Sequence, residues 1–314
     1  MKKKKSITRS IRDEAYLVLN ETNHDLTRSS YKRIVKRYIE YCRQEFKVKT
    51  LEECKAFVQI YLDNLVAKGY SASTIHTYCA AISKTLGTRM DQYEKPIRYV
   101  AEYKKGRQKN KTVYKTKTDL DADKWKEIVA FQKMVGIRRR ELEMLCGNDI
   151  DEKYGHTFVY VRNGKGGKNS YVYITPENTP AVRSYFANKA PDERIFDSKL
   201  FKNDLNLHYL RAMHAQEMYK YFESKIKENP DYRKELTELV IKIWQKTNLN
   251  PKTKKPRPFP YHSIMGKYVL RGKNRQLAIK QNLPVAYDRL IIRVVSVLCL
   301  SHFREDVVIG YMNY

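Results

Sequence analysis

Apolar residues recur at helical spacing through the first part of the chain. In residues 29–45, "SSYKRIVKRYIEYCRQE", apolar side chains are three and four positions apart, and Lys and Arg occupy the other face. This spacing is typical of an amphipathic helix. Thr50 followed by Glu53 has the spacing of a capping box, and an apolar stripe from Leu51 to Leu65 follows it. The pattern predicts a second helix there.

Two more helices complete the expected N-terminal unit. The stretch "SASTIHTYCAAISKTLG" predicts a third helix with Ser73 as its cap and Gly87 after its end. A shorter fourth helix is predicted from Met90 to Tyr103. Together these helices predict a compact four-helix domain at residues 25–103, preceded by a basic N-terminal segment at residues 1–24.

The hydrophobic pattern changes twice in the second part of the chain. The spacing in "DKWKEIVAFQKMV" predicts a helix that Asp121 or Asp123 can cap, and a second helical stretch is predicted from about Arg139 to Leu145. The stretch "HTFVYVRNGKGGKNSYVYI" then has β-type residues on both sides of a glycine-rich turn, which predicts a β-hairpin.

Helical patterns return after the hairpin. They run from about Leu205 to Glu228 and from Pro230 to Trp244, and Asp288 is placed to cap a last helix. The whole pattern predicts a mainly α protein with a small β-sheet, whose second domain spans residues 119–314.

Residues 104–118, "KKGRQKNKTVYKTKT", hold seven Lys or Arg and no acid. The stretch has no apolar period, so it is predicted to be a linker, and its charge suits a position along a phosphate backbone. A linker that is merely soluble is an equally good interpretation. The predicted DNA contacts of the linker are Lys104, Lys105, Arg107, Lys109 and Lys111.

The charge of the chain points to a polyanionic partner. Its 314 residues include 62 Lys and Arg against 35 Asp and Glu, a formal net charge of +27. Double-stranded DNA is the expected partner, with a membrane surface as the competing polyanion. No apolar run approaches the length of about 20 residues that spans a bilayer, and no secretory signal is visible.

The five cysteines are scattered, without a C-x-x-C pair, so neither a zinc site nor a disulfide framework is indicated. We therefore expect a cytoplasmic protein without a cofactor or metal.

Four separated stretches carry candidate chemistry: "GIRRREL", the hairpin tip "GKGGK", "HYLR" and "LSHFREDVVIGY". Each alone has an ordinary structural interpretation, as a solvated Arg run, a turn Lys, a chance H-x-x-R pair and a packed terminal helix. The candidate residues in these stretches are Arg138, Glu141, Lys165, His208, Arg211, His302 and Tyr311.

In this order, the four stretches resemble the motifs of the tyrosine recombinase (phage integrase) superfamily. The family pattern is G-[LI]-R-x-x-E-L, a hairpin G-K-G, H-x-L-R, L-G-H and a Tyr about nine residues later. The resemblance spans roughly residues 25–314 and is strongest to integrase-type proteins of Gram-positive mobile elements. It implies a SAM-like core-binding domain followed by an α+β catalytic domain.

The resemblance also implies the chemistry. Tyr311 would attack a scissile DNA phosphate, giving a 3′-phosphotyrosine and a free 5′-hydroxyl. Arg138 and Arg211 would stabilise the charge of the transition state, and Lys165 would protonate the leaving oxygen. His208 would assist Tyr311 or bind a phosphate oxygen.

The resemblance gives the remaining candidates supporting roles. His302 would be a second phosphate donor, and Glu141 would orient Arg138. Arg139 is expected to contact the DNA backbone or to lie on the surface. His214, on the predicted helix of Arg211, is expected to be structural.

The chain departs from the family pattern in three places. Ser301 replaces the glycine before the second histidine, which affects that turn. About 90 residues separate Arg211 from His302, so an insertion is expected at about residues 228–262. The extra helix that many relatives pass to a neighbouring subunit does not follow Tyr311, so we expect a departure from the usual cyclic assembly. Self-association on DNA or an accessory DNA-binding protein is expected instead.

Several alternatives stay open. Tyr314 is a competing nucleophile with the wrong spacing from His302. A relaxase that nicks plasmid DNA for conjugative transfer would use the same residues, as would a type IB topoisomerase. A catalytically decayed DNA-binding relative is the non-enzymatic alternative. Tyr268, Arg271 and Lys273 lie in a basic patch that fits a DNA contact and a structural strand edge equally well.

Overall fold

The computed structural model describes residues 6–22, 25–98, 123–164, 167–201, 205–250 and 252–312. The chain divides into two compact units, Met1–Arg98 and Tyr99–Tyr314. The predicted linker at residues 104–118 lies outside the described residues, so its five predicted DNA contacts stay predictions.

The first unit is helical throughout its described regular structure. Thr50 Oγ1 accepts a hydrogen bond from the Glu53 amide at 3.2 Å, at the beginning of the 3₁₀ turn that leads into the predicted second helix. The unit comprises α1 (Ile7–Asn20), α2 (Asp25–Phe46), α3 (Val58–Ala67) and α4 (Ala72–Leu86), with 3₁₀ turns at Glu53–Phe57 and Met90–Gln92.

Three predictions for this unit were wrong. Residues 1–24 were set apart as a basic segment, but Ile11, Ala15 and Leu19 of α1 are buried in the same core as α2–α4. These residues are four apart and form a narrow apolar stripe that the surrounding charges obscure. The predicted helix from Met90 to Tyr103 is a 3₁₀ turn followed by irregular chain as far as residue 98.

The third error concerns the cap of α4. Ser71 rather than Ser73 caps the helix, since its Oγ accepts from the Thr74 amide at 3.2 Å. Ser73 is the second residue of the helix, and serine is a suitable cap, so the sequence alone did not distinguish it from Ser71. Gly87 ends the helix in the left-handed conformation, as predicted.

The second unit places helices around two small antiparallel sheets. Its elements are α5 (Lys126–Val135), α6 (Arg139–Glu143), β1 (Ile150–Lys153), β2 (His156–Gly164), β3 (Lys168–Tyr173), α7 (Thr179–Phe186), α8 (Leu207–Glu228), α9 (Tyr232–Thr247), β4 (Lys267–Val269), α10 (Gly272–Lys280), β5 (Ala286–Asp288), α11 (Arg289–Val294) and α12 (Glu305–Met312). A π-helical turn, Val295–Cys299, continues α11.

The sheets have simple topology. Strands β1, β2 and β3 follow one another in one sheet, and β4 pairs with β5 in the other. The predicted hairpin is confirmed as β2–β3, with Phe158 opposite Tyr173 and a register shift between Val161 and Gly164 near its tip. Strand β1 was not predicted.

Helix α9 belongs to the core of the second unit although it lies in the predicted insertion. Leu236, Val240 and Trp244 are buried there with residues of α8 and α11. The described fold is therefore mainly helical with small antiparallel sheets, as predicted. No described helix is long and apolar enough to cross a membrane.

Candidate active site

Arg138 connects the beginning of α6 to the C-terminal part of the chain. It is the N-cap of α6, and its backbone amide donates to Glu141 Oε2 at 2.8 Å. Its Nη1 pairs with Glu141 Oε1, and its Nη2 lies 2.7 Å from His302 Nε2. Because a guanidinium only donates hydrogen bonds, His302 Nε2 is the acceptor and carries no proton in this arrangement. Glu141 is buried, and its contacts hold the Arg138 guanidinium in place.

Arg211, one turn into α8, is almost completely buried, with 1% of its surface exposed. Its two terminal nitrogens donate to the carbonyl oxygens of Gly136 and Leu300. Each carbonyl belongs to a residue two positions before a candidate residue, Arg138 in one case and His302 in the other. Arg211 therefore holds two segments of the site in place.

Burial lowers the pKa of Arg211, and nearby Arg138 lowers it further, whereas interactions with Tyr311 and Glu141 oppose the shift. The two arginines of the motif are thus close enough to repel each other. A phosphate group bound between them would relieve this repulsion.

Tyr311 of α12 packs against α8. Its ring centroid lies 5.4 Å from that of His208, and its backbone carbonyl accepts from Gln216 Nε2 at 2.8 Å. Only 5% of Tyr311 is exposed. His208 lies exposed in the first turn of α8, where Asn206 caps the helix by accepting from the Tyr209 amide at 3.0 Å.

The hairpin tip reaches this cluster. A Cβ placed on Gly164, the last residue of β2, would lie 3.2 Å from Glu141 Oε1. On the other side of the tip, Lys168 Nζ lies 5.1 Å from the centre of the Phe303 ring. Lys165 itself lies outside the described residues, so its role as general acid stays a prediction.

Ser301 adopts a backbone conformation that favours glycine. Its φ is +48°, in the left-handed region, and its Oγ is buried without a described hydrogen-bond partner. This residue turns the chain from the π-helical turn to His302. Two hydrogen bonds hold the turn: the His302 amide donates to Ser296 O at 2.7 Å, and Ser296 Oγ donates to His302 O at 2.6 Å.

Arg293 is a site component that the sequence did not indicate. Its guanidinium is buried, with Nη1 donating to Phe303 O at 3.2 Å and Nη2 paired with Glu305 Oε1 at 2.6 Å. The guanidinium carbon lies 5.2 Å from the centre of the Trp244 ring. Burial lowers the pKa of Arg293 and Glu305 opposes the shift. The side chain therefore fixes the segment that links His302 to α12.

Two further basic residues have structural contacts. Arg139 Nη1 donates to Phe201 O at 2.9 Å, and its Nη2 donates to Leu205 O. A DNA contact by Arg139 stays a prediction beside this role. His214 is buried in α8, with Nδ1 2.8 Å from Lys133 O, and burial lowers its pKa to about 4. It is therefore neutral at physiological pH.

The competing nucleophile Tyr314 lies outside the described residues. Tyr268 is partly buried on β4, with the Arg289 guanidinium carbon 6.0 Å from its ring centre. Within the described part of the chain, no group of three or more His, Cys, Asp or Glu side chains is arranged to hold a metal ion.

No protein-family model matches the chain, and no curated protein matches it. Two solved structures that it resembles are recombinases by name. For XerA recombinase, the identity is 17%, the match covers 67% of this chain and 84% of that chain, and the TM-score is 0.24. For XerH site-specific recombinase bound to difH substrate in a pre-cleavage complex, the identity is 14%, the coverage is 68% and 85%, and the TM-score is 0.36. Neither name mentions a mobile element, so that origin stays a prediction.

Proposed function

We propose that the protein is a tyrosine recombinase that cleaves and rejoins duplex DNA through a covalent 3′-phosphotyrosine on Tyr311. The observation that carries this proposal is one connected cluster built from four distant parts of the chain. Arg138 contacts His302, Arg211 holds the segments before both of them, and Tyr311 packs on His208. A purely structural role for α12 would not require a histidine and an arginine of α8 beside its tyrosine.

The proposed reaction balances within this set of residues. The Tyr311 phenolic oxygen attacks phosphorus and loses its proton to His208, while the bond from phosphorus to the 5′-oxygen breaks. Lys165 gives that oxygen a proton, so the products are a phosphotyrosine and a 5′-hydroxyl. Attack of a 5′-hydroxyl on the phosphotyrosine reverses the step and rejoins the strand.

Arg138 and His302 are the groups best placed to meet the phosphate first. The Arg138 side chain keeps 23% of its surface exposed, and its Nη2 can exchange His302 for a phosphate oxygen. Arg211 and Tyr311 are buried, so the reaction requires α12 to shift from α8 when DNA binds.

A covalent adduct tests this proposal. The substrates would be overlapping duplexes that cover the DNA on both sides of the protein's own gene. Each duplex would carry a nick, so that the short fragment released by cleavage dissociates and the covalent adduct cannot be reversed. We expect the wild type to form a DNA-linked species that survives denaturation and disappears on protease treatment. Tyr311→Phe removes one oxygen and should abolish the adduct, whereas the control Tyr268→Phe should retain it. Adduct formation by Tyr311→Phe would contradict the assignment.

Two other functions are separated by the same substrates. The second candidate function is DNA binding without cleavage, which the burial of Arg211 and Tyr311 favours. In that case the protein would bind the duplexes but form no adduct. A relaxase would cleave one strand and not rejoin it to a second duplex. Strand exchange between two duplexes would support the recombinase.

A further inference from the structure

The segment between α9 and α11 carries a dense group of exposed cations. From residue 249 to residue 287 the sequence contains no Asp or Glu. Like charges that lie close together repel one another, and an external anion relieves this repulsion. We call this group the basic platform; its nine exposed members are Lys252, Lys254, Lys255, Arg257, Lys267, Arg271, Lys273, Arg275 and Lys280.

Other cations of the same unit are placed differently. Lys225 and Lys227 of α8 each lie within 4 Å of a Glu carboxylate on the same helix, and Lys189 pairs with Glu193. Such mixed pairs are typical of a solvated surface. The ion pairs of the described residues include none between a carboxylate and Arg271, Arg275 or Lys280 of the platform, which argues against a surface that only keeps the protein soluble.

The half of the platform around α10 is mounted on a fixed scaffold. Leu270, Ala278 and Tyr287 are buried in the core that contains α8, α9 and α11. The Leu270 amide donates to Val285 O at 2.9 Å, which continues the β4–β5 pairing. The cations of α10 therefore keep their spacing, and little conformational entropy is lost when they bind a ligand.

A salt bridge fixes the other end of this scaffold. Asp288, at the end of β5, accepts from Arg233 Nη1 at 2.8 Å, and its amide donates to the Tyr219 hydroxyl at 2.9 Å. These contacts join β5 to α9 and α8. The half of the platform around α10 therefore packs in the same core as the helix that carries His208 and Arg211.

One side chain joins the platform region to the candidate active site. Arg293 Nε donates to Ser263 Oγ at 3.1 Å, while its Nη1 donates to Phe303 O, the residue after His302. The Arg289 amide donates to Gly266 O at 3.2 Å on the same side. Since duplex DNA is stiff over tens of base pairs, a duplex bound at His302 continues past neighbouring surfaces of the unit.

We propose that the basic platform is a second surface for duplex DNA. It binds backbone phosphates on one side of the phosphate at which the strand is cleaved. The inference rests on the proposed function for the identity of the ligand. It decides between the two interpretations of Arg271 and Lys273 that the sequence left open, in favour of a DNA contact.

An anionic membrane is the competing ligand for a basic surface, and the structure of α10 argues against it. Ile279 is 57% exposed, but the two residues before it, Leu277 and Ala278, are partly and completely covered by the core. The helix therefore lacks the continuous apolar face with which interfacial helices enter a bilayer.

A charge-removal variant tests the platform. In the full-length chain, Arg271, Lys273, Arg275 and Lys280 would each be changed to Gln, which keeps side-chain length. The matched control changes Arg183, Lys189, Lys225 and Lys227 to Gln, with the same loss of charge at cations that have carboxylate partners. Retained tryptophan fluorescence would show that both variants are folded.

The readout is the salt dependence of duplex affinity. Each lost phosphate contact reduces the steepness of log K against log salt by about 0.9. On a 40-bp duplex, the slope of the platform variant should therefore be less steep than that of the wild type by about 2 to 3. On a duplex trimmed to 12 bp around the cleavage site, its slope and adduct yield should equal those of the wild type. The control should keep the wild-type slope on both. Equal slopes for platform variant and control would overturn the inference.

The outcomes separate this inference from the proposed function. If no protein forms an adduct but the platform variant still loses slope, the proposed reaction is wrong and the DNA surface stands. If adducts form and the slope does not change, the reaction stands and the surface is wrong. Loss of binding to phosphatidylserine vesicles, with unchanged duplex affinity, would identify a membrane surface and also overturn the inference.

Discussion

Ser301 occupies a position where glycine would be more stable, and this gives a quantitative prediction. Its φ of +48° lies in the left-handed region, where a Cβ is disfavoured, and its hydroxyl is buried without a described partner. Ser301→Gly removes both the Cβ and the hydroxyl. We expect the second unit to become more stable while the turn to His302 is kept.

The expected gain is a difference between opposing effects. Removing a Cβ from the left-handed region gains about 1–2 kcal/mol, and the greater freedom of glycine in the unfolded chain takes back about 0.4–1 kcal/mol. Loss of a buried hydroxyl without a partner adds a further gain of about 1 kcal/mol. The net prediction is a stabilisation of about 1–2.6 kcal/mol.

Tryptophan fluorescence in urea measures this effect in the right unit. The chain has two tryptophans, Trp125 and Trp244, and both belong to the second unit. A higher midpoint at unchanged slope reports a gain in stability. Trp244 also lies 5.3 Å from Phe303, so its emission is sensitive to the segment after His302.

Two comparison variants separate the contributions. Ser301→Ala removes the hydroxyl but keeps the Cβ, so it should be less stable than Ser301→Gly by about 1 kcal/mol. Gly155→Ala introduces a Cβ at φ +78° with no atom within 4 Å of it, and it should lose about 1 kcal/mol. A destabilised Ser301→Gly, with Gly155→Ala behaving as expected, would refute the account of this turn.

Three further predictions concern positioning, pH and metal. Arg293→Lys keeps the charge but loses the planar group that bonds Phe303 O and Glu305. Adduct formation should therefore slow at least about tenfold, with duplex affinity unchanged. An equal loss of adduct formation and duplex affinity would instead indicate general unfolding. The pKa of His214 falls from 6.5 to about 4 on folding, so His214 is protonated in the unfolded chain at a higher pH than in the folded protein. Between pH 7 and pH 5 this difference should lower the free energy of unfolding by about 2 kcal/mol. His214→Gln should flatten that dependence in urea titrations, and an unchanged pH slope would contradict the assignment. Because the proposed donors are Arg, Lys and His, excess EDTA should leave adduct yield unchanged, and loss that Mg²⁺ restores would refute this chemistry.

Elements with strong local patterns were predictable from the sequence. The helices α2, α3 and α4 have long apolar stripes, the β2–β3 hairpin has a glycine-rich turn, and Asp288 caps α11 by accepting from the Ile291 amide at 3.2 Å. Strand β1 was missed because its four residues, "IDEK", include three charged ones and show no apolar alternation.

The candidate residues could be chosen from the sequence, but the contacts between them could not. The motif order identified Arg138, Arg211, His302 and Tyr311, and these residues do lie together. Burial of Arg211 was not predictable, because it depends on carbonyl groups that come from distant positions. Arg293 was missed for the same reason. A single arginine in an apolar helix is normally interpreted as solvent-exposed, and the sequence does not show that Glu305 lies beside it.

The central claim is that Tyr311 forms the bond to DNA, and peptide mapping of the adduct tests it most directly. Trypsin cuts after Arg304, so the peptide "EDVVIGYMNY" contains both Tyr311 and Tyr314. After nuclease treatment of the adduct, fragmentation in a mass spectrometer would locate the residual nucleotide. The account predicts the added mass on Tyr311 and unmodified Tyr314. A nucleotide on Tyr314, or on a peptide outside α12, would contradict it.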